Sequence, residues 1–213
     1  MENKLKNTLK SGLLALKQKA SPEQILLWIA YVELLAKWNK VYNLSGISDP
    51  NSMMIRHILD SLCIGDFLED PSIQLIADVG TGPGLPGIPL AILFPQKKFI
   101  LVESRQKRLI FLKQAILALG LSNVELGQGR VEELPVPILK PDRILSRAFA
   151  KLADMLNITQ SWAGPHTVWL AMKGEIVQEE LSNIPSVYAK PIVRCLTPPF
   201  EKAPRHLVMI RQA

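Results

Sequence analysis

Ile76-Ala77-Asp78-Val79-Gly80-Thr81-Gly82-Pro83-Gly84-Leu85-Pro86-Gly87-Ile88-Pro89-Leu90-Ala91 carries the pattern that decides the fold. An apolar run ends in Asp78, glycines alternate at 80, 82 and 84, Gly87 follows, and a second apolar segment begins behind it. This is the order strand, tight turn, helix, in which glycines let the backbone approach a nucleotide-type cofactor closely. The next apolar run, Phe99-Ile100-Leu101-Val102, ends in Glu103. An acid about 20 residues beyond the glycines is suited to accept hydrogen bonds from ribose hydroxyls. Together the two features point to an adenosine-containing cofactor.

Gly82, Gly84 and Gly87 also spell the G-x-G-x-x-G of dinucleotide sites. However, Pro83, Pro86 and Pro89 each remove an N–H from the loop and first helical turn. That leaves a poor cradle for a pyrophosphate. S-adenosylmethionine has no phosphate and carries a sulfonium cation, so it loses nothing by this. Asp78 completes D-x-G-x-G-x-G, which is similar to the first motif of Rossmann-like methyltransferases. A carboxylate there suits the cationic methionine end, directly or through water. Ile88 after Gly87 excludes a Walker-type loop, which requires Lys at that place. A purely structural Gly/Pro turn is the alternative.

The 213 residues, 48% of them hydrophobic, suffice for one sizeable core and a small appendage. A net charge of +6 favours a polyanionic partner without requiring one. Cys63 and Cys195 have neither metal-ligand spacing nor a disulfide framework, so no metal is expected and the reducing cytoplasm is the simplest compartment. No signal peptide and no membrane span are expected, because every long apolar run is broken by charges, glycines or prolines.

Residues 1–70 read as a helical segment, facing the polyanionic partner and packed on a core formed by 71–213. Leucines at 5, 9, 13 and 16 mark one helix. Ser21-Pro22-Glu23-Gln24 starts a second, with Ser21 as N-cap, Pro22 at the first position and Gln24 completing a capping box. Residues 39–48 read as a loop, and Asp49-Pro50 starts a third helix running to about Phe67. Seven Lys against three Glu in residues 1–45 put +4 of the total charge in this segment. Beyond residue 73, strands are expected near 74–79, 98–102, 123–126, 142–146, 167–172, 187–196 and 205–211. Helices are expected near 86–94, 105–119, 151–162 and 175–182. Such alternation implies a parallel doubly wound sheet, and the last two strands, joined without a helix, imply an antiparallel pair at its end.

Further motifs occur in order: Lys37-Trp38-Asn39-Lys40-Val41-Tyr42-Asn43-Leu44, Arg56-His57-Ile58-Leu59-Asp60-Ser61, Arg130-Val131-Glu132-Glu133, Ser146-Arg147-Ala148-Phe149-Ala150 and Arg205-His206-Leu207-Val208. With the glycine loop they cover nearly the whole chain and resemble the RsmG (GidB) family, bacterial methyltransferases acting on guanine N7 of 16S ribosomal RNA. Glu103 and Ser45 stand where that family often has Asp and Thr, which keeps the functional group. The resemblance implies an α/β, Rossmann-like class I methyltransferase fold, with a seven-stranded, mostly parallel sheet, a terminal antiparallel strand and an N-terminal helical appendage. It implies S-adenosyl-L-methionine as cofactor and 16S ribosomal RNA or a small-subunit particle as partner, for a monomeric cytoplasmic enzyme without membrane or metal.

By that resemblance Gly80 and Leu85 contact the cofactor in the first loop, Val131 and Glu132 lie beside the adenine, and Arg147 reaches the cofactor side of the pocket. The glycine spacing adds Gly82 and Gly84 to the cofactor loop, and the spacing of Glu103 places it on the ribose. Arg147, His57 and Asn43 are the candidates for catalysis and base contact. Spacing alone also allows an Arg56–Asp60 ion pair beside a half-buried histidine, and a turn role for Asn43. Arg105, Lys107, Arg108 and Lys113 form either a solvated helix face or a phosphate contact. Thr197-Pro198-Pro199-Phe200 resembles the Asn-Pro-Pro-Tyr of amino-group methyltransferases, but its place in the terminal hairpin puts it far from the fourth strand, where that motif works. Rival readings are a small-molecule methyltransferase, an inactive RNA-binding relative and a dinucleotide oxidoreductase. The lysine-rich appendage, the intact loop and the three prolines weigh against them in turn.

Overall fold

The computed structural model describes residues 2–147, 151–176 and 178–213. Ala148, Phe149 and Ala150 of the motif after the fourth strand lie outside the described residues, as does Val177 of the helix expected at 175–182. The chain opens with α1 (Glu2–Ala15) and α2 (Pro22–Tyr42). Leu5, Leu9 and Leu13 are buried along α1. The capping box on α2 forms as expected: the Ser21 side chain accepts from the Gln24 N–H, and the Gln24 side chain accepts from the Ser21 N–H. α2 runs through Asn39 to Tyr42, so the expected loop begins four residues later than the sequence suggests.

The third helix is not continuous. Asp49 caps α3 (Pro50–Met53), accepting the Ser52 N–H at 2.7 Å. A π-helical stretch follows, Met54–Leu59, then α4 (Asp60–Leu62) and a 3-10 turn, Gly65–Leu68. π-helical turns are rare and concentrate at functional sites. This one carries Arg56 and His57 and changes which neighbours they face.

Seven strands form one sheet: β1 (Leu75–Val79), β2 (Lys98–Glu103), β3 (Val124–Gln128), β4 (Arg143–Arg147), β5 (Val168–Lys173), β6 (Ile192–Leu196) and β7 (Arg205–Arg211). Their order is β3-β2-β1-β4-β5-β7-β6. β1 to β5 pair in parallel, while β7 lies antiparallel between β5 and β6. β6 is shorter than expected, because Pro191 has no N–H for the ladder, and only an isolated bridge, Tyr188 to Gln212, precedes it. α5 (Gly87–Leu93), α6 (Gln106–Leu119), α7 (Leu152–Thr159) and the short α8 (Gln178–Ser182) complete the chain.

Strand residues alternate between two cores, as a period of two requires. Ile76, Leu101, Leu145, Leu170 and Leu207 join the larger core, shared with the N-terminal helices, α5 and α6. Ala77, Val102, Ile144, Ala171 and Val208 face the other, with Leu152, Met155 and Leu156 of α7. Trp28 of α2 donates to the Pro89 carbonyl at 3.1 Å, and Tyr31 donates to that of Pro83 at 2.7 Å. The helical segment therefore rests directly on the glycine loop.

Candidate active site

Asp78, the penultimate residue of β1, is fully buried. Its Oδ2 accepts from the Thr81 hydroxyl and, at 2.8 Å, from the Gly87 N–H, buckling the loop to the start of α5. A Cβ at Gly87 would stand 2.2 Å from Leu101 and 2.8 Å from that same carboxylate oxygen, so only glycine fits. Gly80 and Gly82 hold φ of 69° and 63°, the left-handed region that favours glycine. Asp78 Oδ1 is buried with no hydrogen-bond partner among the described residues. Burial pushes the Asp78 carboxyl up to about 6, against the opposing pull of the Thr81 and Gly87 hydrogen bonds and the Arg147 charge. The sequence suggests that Asp78 faces the ligand. In the structure, half of its carboxylate is spent holding the loop together.

A cavity of about 490 Å³ opens at the carboxyl ends of β1, β2 and β3. Gly80, Glu103, Val131 and Glu132 line it, four of the expected cofactor residues. Gly82, Gly84, Leu85 and Arg147 do not; Leu85 is buried in the larger core. Glu103 is 4% exposed. Its Oε1 accepts the N–H groups of Ser104 and Arg105, each at 2.8 Å, which turns the chain into α6. Its Oε2 pairs with Arg108 Nη1 at 3.2 Å. Arg105, Lys107 and Lys113 are exposed, but Arg108 turns inward, and a Cβ at Gly82 would lie 3.7 Å from its guanidinium. The residue type hid this: Arg108 looks like one member of a basic helix face.

A second group gathers around Arg147 at the end of β4. Asp60 is buried and receives Arg147 Nη1 on Oδ2 and Arg205 Nε on Oδ1, each at 3.1 Å. Arg147 also donates to the Arg56 carbonyl at 3.2 Å. The Arg56 side chain pairs with Glu201, not with Asp60 as its spacing suggests. The π-helical turn separates the two and frees Asp60 for the sheet.

His57 Nδ1 lies 3.1 Å from the Arg56 carbonyl, so it carries the proton, and Nε2 accepts from the Ser45 hydroxyl at 2.7 Å. Ser45 in turn accepts the Ile47 N–H. Burial first, then the Arg147 charge, lowers the His57 imidazole to about 4. Asn43 is exposed in the left-handed C-cap position of α2, φ 49°. The loop after it is braced by Asn39, whose side chain donates to Ile47 and accepts from Ser45.

Sequence reasoning assigns no role to Asp60 as a clamp, to Arg205 or to Tyr31. Arg205 sits in a quoted motif, but no local spacing links it to residue 60. Thr197-Pro198-Pro199-Phe200, expected far from the fourth strand, belongs to the loop that brings Glu201 to Arg56 and Arg205 to Asp60. It therefore shares the Arg147 edge of the sheet.

Solved structures similar to this chain include the Bacillus subtilis M1A22 tRNA methyltransferase TrmK, with a TM-score of 0.57 and 15% identity, covering 72% of this chain and 65% of that one. Another is M. jannaschii TYW2 in complex with AdoMet, with a TM-score of 0.54 and 15% identity, covering 74% of this chain and 76% of that one. At that identity they share the fold alone. Ribosomal RNA small subunit methyltransferase G of Alteromonas mediterranea is 43% identical over 216 residues, spanning 100% of this chain and 99% of its own length. The protein of the same name from Escherichia fergusonii is 41% identical over 99% and 98%. The family model described as GidB, rRNA small subunit methyltransferase G, matches residues 24–208. On these matches, the chain belongs to the GidB family of rRNA small subunit methyltransferases.

Proposed function

We propose that this enzyme transfers the methyl group of S-adenosylmethionine to N7 of a guanine in 16S ribosomal RNA, in the cytoplasm where small subunits are built. The observation that carries the choice of atom is that the described side chains in contact with Arg147, and His57 beside it, leave no free proton acceptor there. Arg147, Arg56 and Arg205 are guanidinium groups, which stay protonated. His57 has its one lone pair engaged by Ser45, and Asp60 is paired on both oxygens. Guanine N7 carries a lone pair and no proton, so its methylation needs no base.

When bound, S-adenosylmethionine would supply an electrophilic methyl on a sulfonium, which the N7 lone pair would take as the S–C electron pair returned to sulfur and the positive charge passed to the purine. The residues present suit such a group. The backbone of Gly80, Gly82, Gly84 and Leu85 supports its methionine portion, and the buried Asp78 carboxylate beneath the loop favours a cation above it. Glu103 accepts from the ribose once Arg108 shares or yields Oε2. Val131 and Glu132 flank the adenine. Arg147, fixed by Asp60, aligns cofactor and guanine, and alignment of this kind is worth roughly 7–11 kcal/mol of barrier. Asn43, and His57 through its hydrogen bond to Ser45, shape the entrance at the 43–48 loop.

Incubation with labelled S-adenosylmethionine and small-subunit particles from cells lacking the enzyme, followed by nucleoside mass spectrometry, is expected to yield 7-methylguanosine. Particles carrying 7-deazaguanine at the target are expected to stay unmethylated. Methyl transfer to the deaza analogue, or an amine- or carbon-methylated product, overturns the N7 assignment.

A further inference from the structure

The connection between β6 and β7 is tied at both flanks to the groups that hold Arg147. Glu201 pairs with Arg56, whose carbonyl accepts from Arg147, and Arg205 pairs with Asp60. Between these ties the Glu201 N–H bonds to the Pro198 carbonyl at 3.3 Å, closing a β-turn over Pro198, Pro199, Phe200 and Glu201. Pro198 and Pro199 are buried and fix the turn on the protein. Its third position is Phe200, with φ of 66°. A left-handed third position after proline favours Gly or Asn, and a bulky side chain there is an outlier. The core gains little in exchange, because Phe200 is 59% exposed. Folding alone would favour glycine, yet the turn carries an aromatic ring into solvent at the edge where Arg147 ends. Strained residues held by surrounding contacts cluster at ligand clamps.

We propose that Phe200 is a stacking platform for a nucleobase next to the reacting guanine, with the half-exposed Arg56 beside it to meet the flanking phosphate. This rests on the RNA methyl transfer proposed above. Aromatic faces hold unpaired bases with little regard to sequence, and a reactive guanine must leave its stack, which leaves its neighbours unstacked too. Around the turn Arg56, Arg147 and Arg205 outnumber their partners Glu201 and Asp60, and this excess of positive charge favours a polyanion over an apolar protein segment.

The test compares wild type with Phe200→Gly, which suits the backbone, and Phe200→Trp, which enlarges the stacking face. Phe200→Gly is expected to melt no lower than wild type, bind S-adenosylmethionine equally by calorimetry, and raise KM for unmethylated particles by about tenfold with kcat little changed. Phe200→Trp is expected to keep the wild-type KM. On reconstituted particles with an abasic nucleotide beside the target, wild type and Phe200→Gly are expected to converge. An unchanged KM in Phe200→Gly overturns the inference, as does a full difference that persists at every abasic position, which would assign the ring to a protein contact. A wild type that methylates no particle overturns the proposed function and this inference together. An active wild type with an indifferent Phe200→Gly overturns the inference alone.

Discussion

Asp78 and His57 are both buried, and their ionisations pull stability in opposite directions. The Asp78 carboxyl is raised to about 6, so the folded protein holds a proton that the unfolded chain releases near pH 4. Its contribution is full below pH 4 and is lost as pH rises through 6. The His57 imidazole is lowered to about 4, so the unfolded chain binds a proton that the folded protein refuses, and stability rises between pH 4 and 6.5. The two slopes oppose each other over pH 4–6. Replacing Asp78→Asn is expected to remove one of them: relative to wild type the variant gains stability as pH rises from 4 to 7, by up to about 3 kcal/mol. Urea titrations at several pH values read this directly, and a difference that shrinks with pH would contradict it. Glu103 divides its work between two oxygens, so Glu103→Gln, keeping Oε1 as acceptor, is expected to fold but to weaken S-adenosylmethionine binding by about tenfold in calorimetry. Equal binding would move the ribose elsewhere.

At the scale of elements, Asp60 joins three pieces: the helix that follows the π-helical turn, the end of β4 and the start of β7. Asp60→Asn leaves two guanidinium groups without their counter-charge. Breaking one partner out of a buried pair costs about 3–5 kcal/mol, the partial exposure of both arginines placing the expected loss at or below the lower figure. Turnover is expected to fall more than cofactor affinity, because Arg147 loses its fixed position while the Glu103 cavity lies apart from it. Single-turnover kinetics beside calorimetry separates the two. Much of this architecture was legible in the residues: the capping box at Ser21, the glycine turn and Glu103 are local signals carried by spacings of a few residues. The clamp was not, since its pairs span 87 and 145 positions, and the second exists only once β7 has folded back. The misread Arg56–Asp60 pair has the same origin, because helical spacing rules assume 3.6 residues per turn and a π-helical stretch does not keep them.

For the whole molecule, the lysine-rich α1 packs against the π-helical turn that carries Arg56. Lys4, Lys10, Lys17 and Lys19 are exposed, and Lys6 is partly so. Replacing these five by Gln is expected to flatten the salt dependence of RNA binding without changing cofactor affinity, since each neutralised phosphate releases counterions. An unchanged slope in a salt titration would move the RNA surface onto the sheet edge. The place of β7 carries a different consequence, one of timing. β7 is synthesised after every other strand, yet it lies inside the sheet and gives β6 its only strand partner. Until it emerges from the ribosome, β5 is a bare edge, β6 has nothing to pair with, and Arg205 is missing from Asp60. The strands that border the Glu103 cavity, β1 to β3, can therefore pair before β7 is made, and so can Arg147 with Asp60, while the second arm of the clamp, Arg205, closes only after β7 has been synthesised and threaded between β5 and β6.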